Sequence, residues 1–212
     1  VLTEAWDRSP DTILWSADGK TIYAVAENVG QTALFAVDAA TGKARIVVEK
    51  GTVRSPVLAG ERIFYGLDHL KSPVELHSVK PDGTDIRAIT RINEEKVAAA
   101  RMGKPEQFSF KGWNGETVWG YVVKPADFDP ARKYPVAFLI HGGPQGSFGN
   151  DFHYRWNPQA YAGAGYAAVT VDFHGSTGYG QAFTDSIQGD WGGKPLEDLK
   201  KGLAAALEKY SW

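Results

Sequence analysis

The chain has 212 residues, of which 43% are hydrophobic and 23% charged, an ordinary composition for a globular protein with an apolar core. Its 23 basic and 25 acidic residues are interspersed without a basic stripe, so nucleic acid is not an expected partner. No apolar run reaches the roughly 18 residues of a membrane span, so we expect no membrane either.

The residue types also limit the chemistry. The absence of Cys excludes disulfides, thiolate nucleophiles and Cys-based zinc sites, and it fits a periplasmic or a cytoplasmic protein equally. His69 and His77 are isolated, and Asp151 with His153 offers only two ligands, so we predict no metal and no cofactor. The chain starts at Val1 with neither an initiator Met nor a signal peptide, which indicates a processed or internal segment.

The first part of the chain, 1–103, is predicted to consist of short strands separated by tight turns. The Asp18-Gly19 and Thr41-Gly42 pairs are hairpin signals, because glycine accepts the positive φ that such turns need. The expected strands are 12–15, 21–26, 33–37, 44–48, 53–58, 62–66, 74–79 and 86–90.

The segment 15–23 is matched by 59–65, a spacing of roughly 45 residues, and four strands per period are typical of a propeller blade. A small β-sandwich is the alternative. Propellers close with about four to eight blades, so residues 1–103 are predicted to be the last blades of an incomplete β-propeller.

The second part, 104–212, alternates strands and helices. Strands 106–111 and 117–124 flank Asn114-Gly115, and the apolar runs 134–140 and 166–171 are predicted strands buried on both faces, with a helix 156–162 between them. The last helix starts near Pro195 and repeats leucines on one face, which we expect to pack on the sheet: Leu196, Leu199, Leu203 and Leu207. The alternation of strands and helices predicts an α/β domain with a parallel sheet. Glu94-Glu95 is predicted to lie in a solvated turn between the two parts of the chain.

Two glycine-rich loops follow the apolar runs. His141-Gly142-Gly143-Pro144 can direct backbone N–H groups at an oxyanion, as HGG-type loops do in α/β hydrolases, although a plain strand-to-helix turn would need the same glycines. The second loop, 172–180, has neither the Gly-Lys-Ser/Thr ending nor the G-x-G-x-x-G of nucleotide sites, which argues against a phosphate cradle.

The order of propeller strands, hairpin, His-Gly-Gly-Pro and Gly-Ser-Thr-Gly-Tyr-Gly at 175–180 resembles the prolyl oligopeptidase family of serine peptidases. The continuation through 181–185, 190–193 and Asp198-Leu199 resembles its acylaminoacyl-peptidase and dipeptidyl-peptidase V branch. His174 departs from the family pattern, because many members carry arginine there. The resemblance implies an α/β-hydrolase fold for 104–212.

The resemblance also implies site roles. The backbone N–H of Gly143 would stabilise the oxyanion, and His141 would either shape this loop or contact the substrate. The catalytic Ser, Asp and His follow in that order in this fold, with the serine on a G-x-S-x-G elbow. No such pentapeptide occurs in the chain, and Ser147 and Ser176 have the wrong spacing. The triad is therefore predicted beyond Trp212, and the segment alone should be inactive.

For the complete protein, the resemblance implies acyl-enzyme hydrolysis of short peptides near their N-terminus, with the missing blades and hydrolase half as partners and no cofactor. The sequence leaves open whether the protein forms a homo-oligomer. An esterase on the same fold and a non-catalytic binding or assembly fragment remain the alternatives.

Overall fold

Two separate β-sheets organise the part of the chain that the computed structural model describes, residues 2–212. The first sheet contains eight strands, β1 (Pro10–Trp15), β2 (Thr21–Asn28), β3 (Gln31–Asp38), β4 (Ala44–Val48), β5 (Thr52–Ala59), β6 (Arg62–His69), β7 (Ser72–Val79) and β8 (Arg87–Ala88). They form two antiparallel meanders of four, β1–β4 and β5–β8, joined by one parallel pair, Thr32 with Thr52.

The two meanders repeat one unit, since each strand of the second begins 41 to 43 positions after its counterpart in the first. Their inward side chains share one apolar core, which includes the fully buried Leu34 and Ile63. This arrangement is that of two adjacent propeller-like blades. The eighth strand is shorter than the predicted 86–90, because only His77 and Ser78 pair with it.

A short helix, α1 (Glu94–Ala99), connects the two sheets. The prediction of a solvated turn at Glu94-Glu95 was wrong, because these two residues form the first turn of this helix. Their carboxylates are stabilised there by the positive end of the helix dipole. The helix lies at the surface and buries none of its side chains.

The second sheet contains β9 (Pro105–Lys111), β10 (Thr117–Val123), β11 (Val136–Leu139) and β12 (Ala167–Asp172), in the order β11-β12-β10-β9. A tight turn at Asn114-Gly115 joins β9 to β10, and both residues have the positive φ (51° and 73°) that the predicted hairpin requires. The predicted parallel sheet is in fact mixed: β11 pairs with β12 in parallel, whereas β10 is antiparallel to both of its neighbours.

Three helices cover the second sheet: α2 (Pro158–Gly163), α3 (Gln181–Asp185) and α4 (Lys194–Lys209). Helices α3 and α4 close an apolar core around Phe108, Val171 and Phe173, and α2 lies in a second core with Tyr121 and Ala168. The strand β12 is buried throughout, as predicted. The expectation for β11 was wrong, because it is the edge strand of this sheet and its residues are only partly buried.

The predicted leucine face of α4 is confirmed only in part, because Leu199 packs against the core while the fully buried positions lie beside that face. The buried residues of the helix are small or polar: Pro195, Asp198, Gly202 and Ala206. The glycine permits close packing, since a Cβ at Gly202 would approach Val171 to 2.7 Å. Leu196 and Leu207 are consequently about half exposed, at 48% and 54%.

Candidate active site

The two glycine-rich loops meet at one edge of the second sheet, because they follow the carboxyl ends of two parallel strands, β11 and β12. His141 Nε2 lies 2.9 Å from Ser176 Oγ, so side chains of both loops are in direct contact. The imidazole of His141 also stacks on Phe173, with ring centroids 4.4 Å apart and nearly parallel planes. These contacts fix the start of the loop 141–150, which we call the oxyanion loop.

The partners of His141 assign its protons. Nδ1 lies 3.0 Å from the carbonyl oxygen of Gly142, which can only accept, so Nδ1 carries the hydrogen. Nε2 then accepts a hydrogen bond from the hydroxyl of Ser176, which is completely buried. His141 is therefore bonded within its own loop and to the neighbouring loop.

Asp172, which is 2% exposed, fixes the second half of the oxyanion loop. Its carboxylate accepts hydrogen bonds from Ser147 Oγ at 2.5 Å, from the Phe148 N–H at 3.0 Å and from Tyr179 OH at 2.6 Å. Burial, followed by the negative charge of Asp172, raises the pKa of Tyr179 well above its usual value, so this phenol stays a donor.

Ser176, His141 and Asp172 form a constellation that resembles a catalytic triad, but its geometry is structural. In a triad the serine contacts Nε2 and the acid holds Nδ1. Here Asp172 Oδ1 lies 3.8 Å from Nε2, the same nitrogen that contacts the serine, and Nδ1 faces a carbonyl group. Because Ser176 is also inaccessible, neither it nor Ser147, whose hydroxyl is held by Asp172, is placed to attack a substrate.

Gly143 occupies the exposed tip of the oxyanion loop. Its φ of 132° lies in the region that favours glycine, and a Cβ there would lie 2.8 to 3.1 Å from the backbone of Gln145. Its N–H makes no hydrogen bond within residues 2–212 and is free to donate to another molecule.

His174 forms a second polar cluster, on the side of the sheet that α4 covers. The imidazole is 1% exposed and lies between two carboxylates, with Nδ1 at 2.5 Å from Asp198 and Nε2 at 3.2 Å from Glu116. Carboxylates only accept, so both ring nitrogens carry hydrogens and the ring is an imidazolium. Burial by itself would lower the pKa of His174, but the hydrogen bonds and charges of Asp198 and Glu116 outweigh it, and the pKa is raised.

A cavity of about 700 Å³ lies between the blades and the two loops. Ser147 and Gly178 from the loops and Gln31 and Arg54 from the blades are among its lining residues. A space of this size is within the range that holds a drug-sized or short peptide ligand.

Asp151 contributes a titratable carboxyl to the wall of this cavity. Its Oδ1 lies 2.5 Å from Arg54 Nη2, and Arg54 also bonds Asp68, which is fully buried. Burial and the nearby Asp68 carboxylate together raise the pKa of Asp151 to about 6.

Within residues 2–212, no three side chains of His, Asp or Glu are grouped so that they could hold a metal ion. The helices of the same residues include none with the length and apolar character needed to cross a membrane.

Sequence reasoning missed Ser176 and Asp172 as partners of His141 and of its loop. The available signal was their position, because both are polar residues at or just after the carboxyl end of a fully buried strand. A polar side chain there lies at the sheet edge where the other loop also emerges.

The comparisons with known proteins agree on one family. Residues 152–212 match the model of the prolyl oligopeptidase family. The chain is 37% identical over 202 residues to dipeptidyl-peptidase 5 of Aspergillus fumigatus (strain CBS 144.89 / FGSC A1163 / CEA10), an alignment that covers 92% of this chain and 28% of that relative. It is also 37% identical over 206 residues to dipeptidyl-peptidase 5 of Schizosaccharomyces pombe, covering 93% and 29% of the two chains.

The structure of Pyrococcus horikoshii acylaminoacyl peptidase matches with a TM-score of 0.85 and 25% sequence identity, over 99% of this chain and 32% of that one. The chain thus spans less than a third of each of these relatives.

Proposed function

We propose that this chain, which belongs to the prolyl oligopeptidase family, is part of a serine peptidase that hydrolyses short peptides near their N-terminus. The family match over residues 152–212 confirms the resemblance, and the matched segment includes the motif at 175–180. Support for the activity comes from two relatives named dipeptidyl-peptidase 5 and from the likeness to an acylaminoacyl peptidase. Because the chain spans less than a third of these proteins, the activity belongs to the complete protein.

We assign residues 1–103 to the end of a β-propeller and 104–212 to the start of an α/β-hydrolase domain. Two similar four-stranded meanders support the first assignment. The parallel pair of β11 and β12, covered by helices, supports the second. Helix α1 and the absence of any strand shared by the two sheets within residues 2–212 support a boundary close to residue 103.

The observation that carries the proposal is the free N–H of Gly143 on a loop fixed by His141, Ser176 and Asp172. A serine beyond Trp212, activated by a histidine that an aspartate orients, would attack the scissile carbonyl carbon. The carbonyl oxygen becomes an oxyanion, which accepts hydrogen bonds from Gly143 and from the N–H that follows the serine. The histidine then donates the proton to the leaving amine, and water hydrolyses the acyl-enzyme.

In this mechanism His141 holds the oxyanion loop in place and does not contact the substrate. Its ring nitrogens are both bonded to groups of the protein, and its face is covered by Phe173. Losing one oxyanion donor typically lowers kcat by about two to three orders of magnitude. Displacing the Gly143 N–H should therefore lower kcat by no more than this factor.

The cavity between the blades and the loops is the proposed substrate chamber. Its volume of about 700 Å³ suits a short peptide and is small for a folded protein. The remaining blades and the second half of the hydrolase domain are the partners this proposal requires, and no cofactor enters the reaction.

Hydrolysis of dipeptidyl and acylaminoacyl amides by the complete protein tests the proposal. We expect amide cleavage that a fluorophosphonate abolishes, and a fall in kcat of at least about tenfold in His141→Ala. His77→Ala is the matched control, since His77 lies on blade strand β7. Cleavage of esters alone would favour an esterase, and a protein that cleaves neither substrate would be a binding module.

A further inference from the structure

Asn150, at the end of the oxyanion loop, uses every one of its polar groups to contact the blades. Its backbone N–H donates to the Gly30 carbonyl at 2.7 Å, and its carbonyl accepts from Thr52 Oγ1 at 3.0 Å. In its side chain, Oδ1 accepts from the Leu70 N–H and Nδ2 donates to Gln31 Oε1, both at 3.0 Å. The four partners come from both meanders.

These contacts add to the bonds that hold the oxyanion loop elsewhere, which include the Thr177 N–H donating to the Gly146 carbonyl at 3.0 Å. The loop is attached at its start by the His141–Ser176 bond and in its middle by Asp172, both of which belong to the second sheet. Asn150 attaches its far end to the first sheet by side-chain hydrogen bonds. Directly after the loop, the Asp151–Arg54 ion pair and the bond from the Phe152 N–H to Asp68 continue this attachment. The exposed tip at Gly143 lies between the first two attachment points, and Asn150 holds the far end of the same loop.

The blade side of this attachment is itself well ordered. Gln31 Oε1 also accepts from the Gly51 N–H at 2.8 Å, and Gln31 Nε2 donates to Tyr121 OH at 2.5 Å. Tyr121 belongs to β10 of the second sheet and donates to the Gly30 carbonyl at 3.3 Å. Gln31 and the Gly30 carbonyl, two of the four partners of Asn150, are thus also bonded to groups outside the loop, as a rigid support for a catalytic loop requires.

We propose that Asn150 is a positioning residue through which the blades set the location of the Gly143 N–H. This inference rests on the proposed function, because it concerns the oxyanion donor of that reaction. It assigns the blades a part in the chemical step, in addition to enclosing the substrate. The residue acts through the loop and touches no reacting atom.

The first test is Asn150→Ala in the complete protein. The substitution removes both side-chain bonds and leaves the buried Leu70 N–H without its acceptor. We expect kcat on a peptide amide to fall at least about tenfold, with KM changed less than about twofold, because the loss concerns the transition state. Affinity for a peptide aldehyde, which forms a tetrahedral adduct, should fall in parallel with kcat/KM.

Asn157→Ala is the matched control, because Asn157 caps α2 through the Gln159 N–H at 2.9 Å and lies outside the oxyanion loop. This variant should lose thermal stability while keeping kcat, which separates a loss of stability from a loss of positioning. Gln31→Leu removes the acceptor of the Asn150 side-chain amide on the blade side of the same contact. It replaces Asn150→Ala as the test if that variant does not fold. We expect it to lower kcat by at least about threefold and to add little to Asn150→Ala in the double variant.

An unchanged kcat in Asn150→Ala would overturn the inference, and Gln31→Leu decides in the same way if the first variant does not fold. Hydrolysis by the wild-type protein would at the same time uphold the proposed function. Purely additive effects of the two substitutions would also overturn it, because the blades would then act by another route. A wild-type protein that neither hydrolyses amides nor reacts with a fluorophosphonate would instead refute the proposed function, and the inference with it.

Discussion

Replacing His174 by glutamine removes the positive charge that lies between Asp198 and Glu116 beside the second sheet. Asp198 is 0% exposed, so the substitution leaves a buried carboxylate without its counter-charge. Removing one partner of a buried ion pair typically costs about 3 to 5 kcal/mol. Asp198 keeps two backbone donors, the N–H groups of Trp113 and residue 174, so we expect the lower end of that range, about 3 kcal/mol.

The ion pair between His174 and Glu116 adds little to this loss of folding free energy. Its side chain is 48% exposed, and an ion pair that reaches solvent contributes at most about 1 kcal/mol. The Asp198 pair therefore decides the size of the effect.

The effect should depend on pH with a definite sign. The pKa of His174 is raised in the folded state, so the imidazolium contributes its full stabilisation below the unfolded histidine pKa of about 6.5. That contribution is lost as the pH rises through the folded-state pKa. The glutamine variant lacks the titrating group, so the difference between wild type and variant should be largest in mild acid and shrink in alkali.

His174→Arg is the matched control, since arginine keeps its charge over the whole range. Thermal unfolding of the complete protein between about pH 5.5 and 9 measures all three proteins. We expect the wild-type melting temperature to fall relative to the arginine variant as the pH rises. A difference between wild type and His174→Gln that is independent of pH, or that grows in alkali, would refute the assignment of an imidazolium.

Three further substitutions test other parts of the site. Ser176→Ala removes the hydroxyl that donates a hydrogen bond to His141. We expect kcat on a peptide amide to fall about tenfold at unchanged KM, and an unaltered kcat would contradict the role of this bond. Asp172→Asn places an amide N–H₂ among three donors and should cost about 2 kcal/mol in unfolding by urea, so a variant as stable as wild type would count against these contacts. Asp151 has a raised pKa of about 6, so its ionisation destabilises the fold as the pH rises from about 4 to above 6. Asp151→Asn should abolish this trend in thermal unfolding, and a trend that persists would mean another group causes it.

The strand pattern of the first part was readable from the sequence because local signals determine it. The Asp18-Gly19 and Thr41-Gly42 pairs mark the turns, and both glycines have the positive φ (69° and 72°) that the prediction requires. The blade repeat followed from the same turns. Strand ends were less certain, since pairing across the sheet extends β2 and β3 beyond their apolar residues.

The helix α4 shows where local pattern reading fails. Its leucines form the most apolar stripe of the helix. The fully buried positions instead include Gly202, because the helix backbone can approach the sheet more closely where there is no Cβ. The burial of β11 was overestimated because a continuous apolar run does not reveal whether a strand has one neighbour or two.

The contacts that fix the oxyanion loop could not be predicted at all. Asn150 binds residues that lie 98 and 119 positions away in the sequence, at Thr52 and Gln31. The His-Gly-Gly-Pro motif identified the loop, but only the three-dimensional arrangement identifies what supports it. Ser176 illustrates the same limit, since its spacing excluded a nucleophile without indicating its bond to His141.

Peptide mapping of the complete protein after fluorophosphonate labelling tests the central claim most directly. The label should fall on one serine outside residues 1–212. Labelling of His141→Ala should be slower, because the displaced loop no longer donates a hydrogen bond to the phosphoryl oxygen, which gains negative charge as the serine attacks phosphorus. A label on Ser176 or Ser147 would contradict the account, since both hydroxyls would then have to leave the hydrogen bonds that hold the loop.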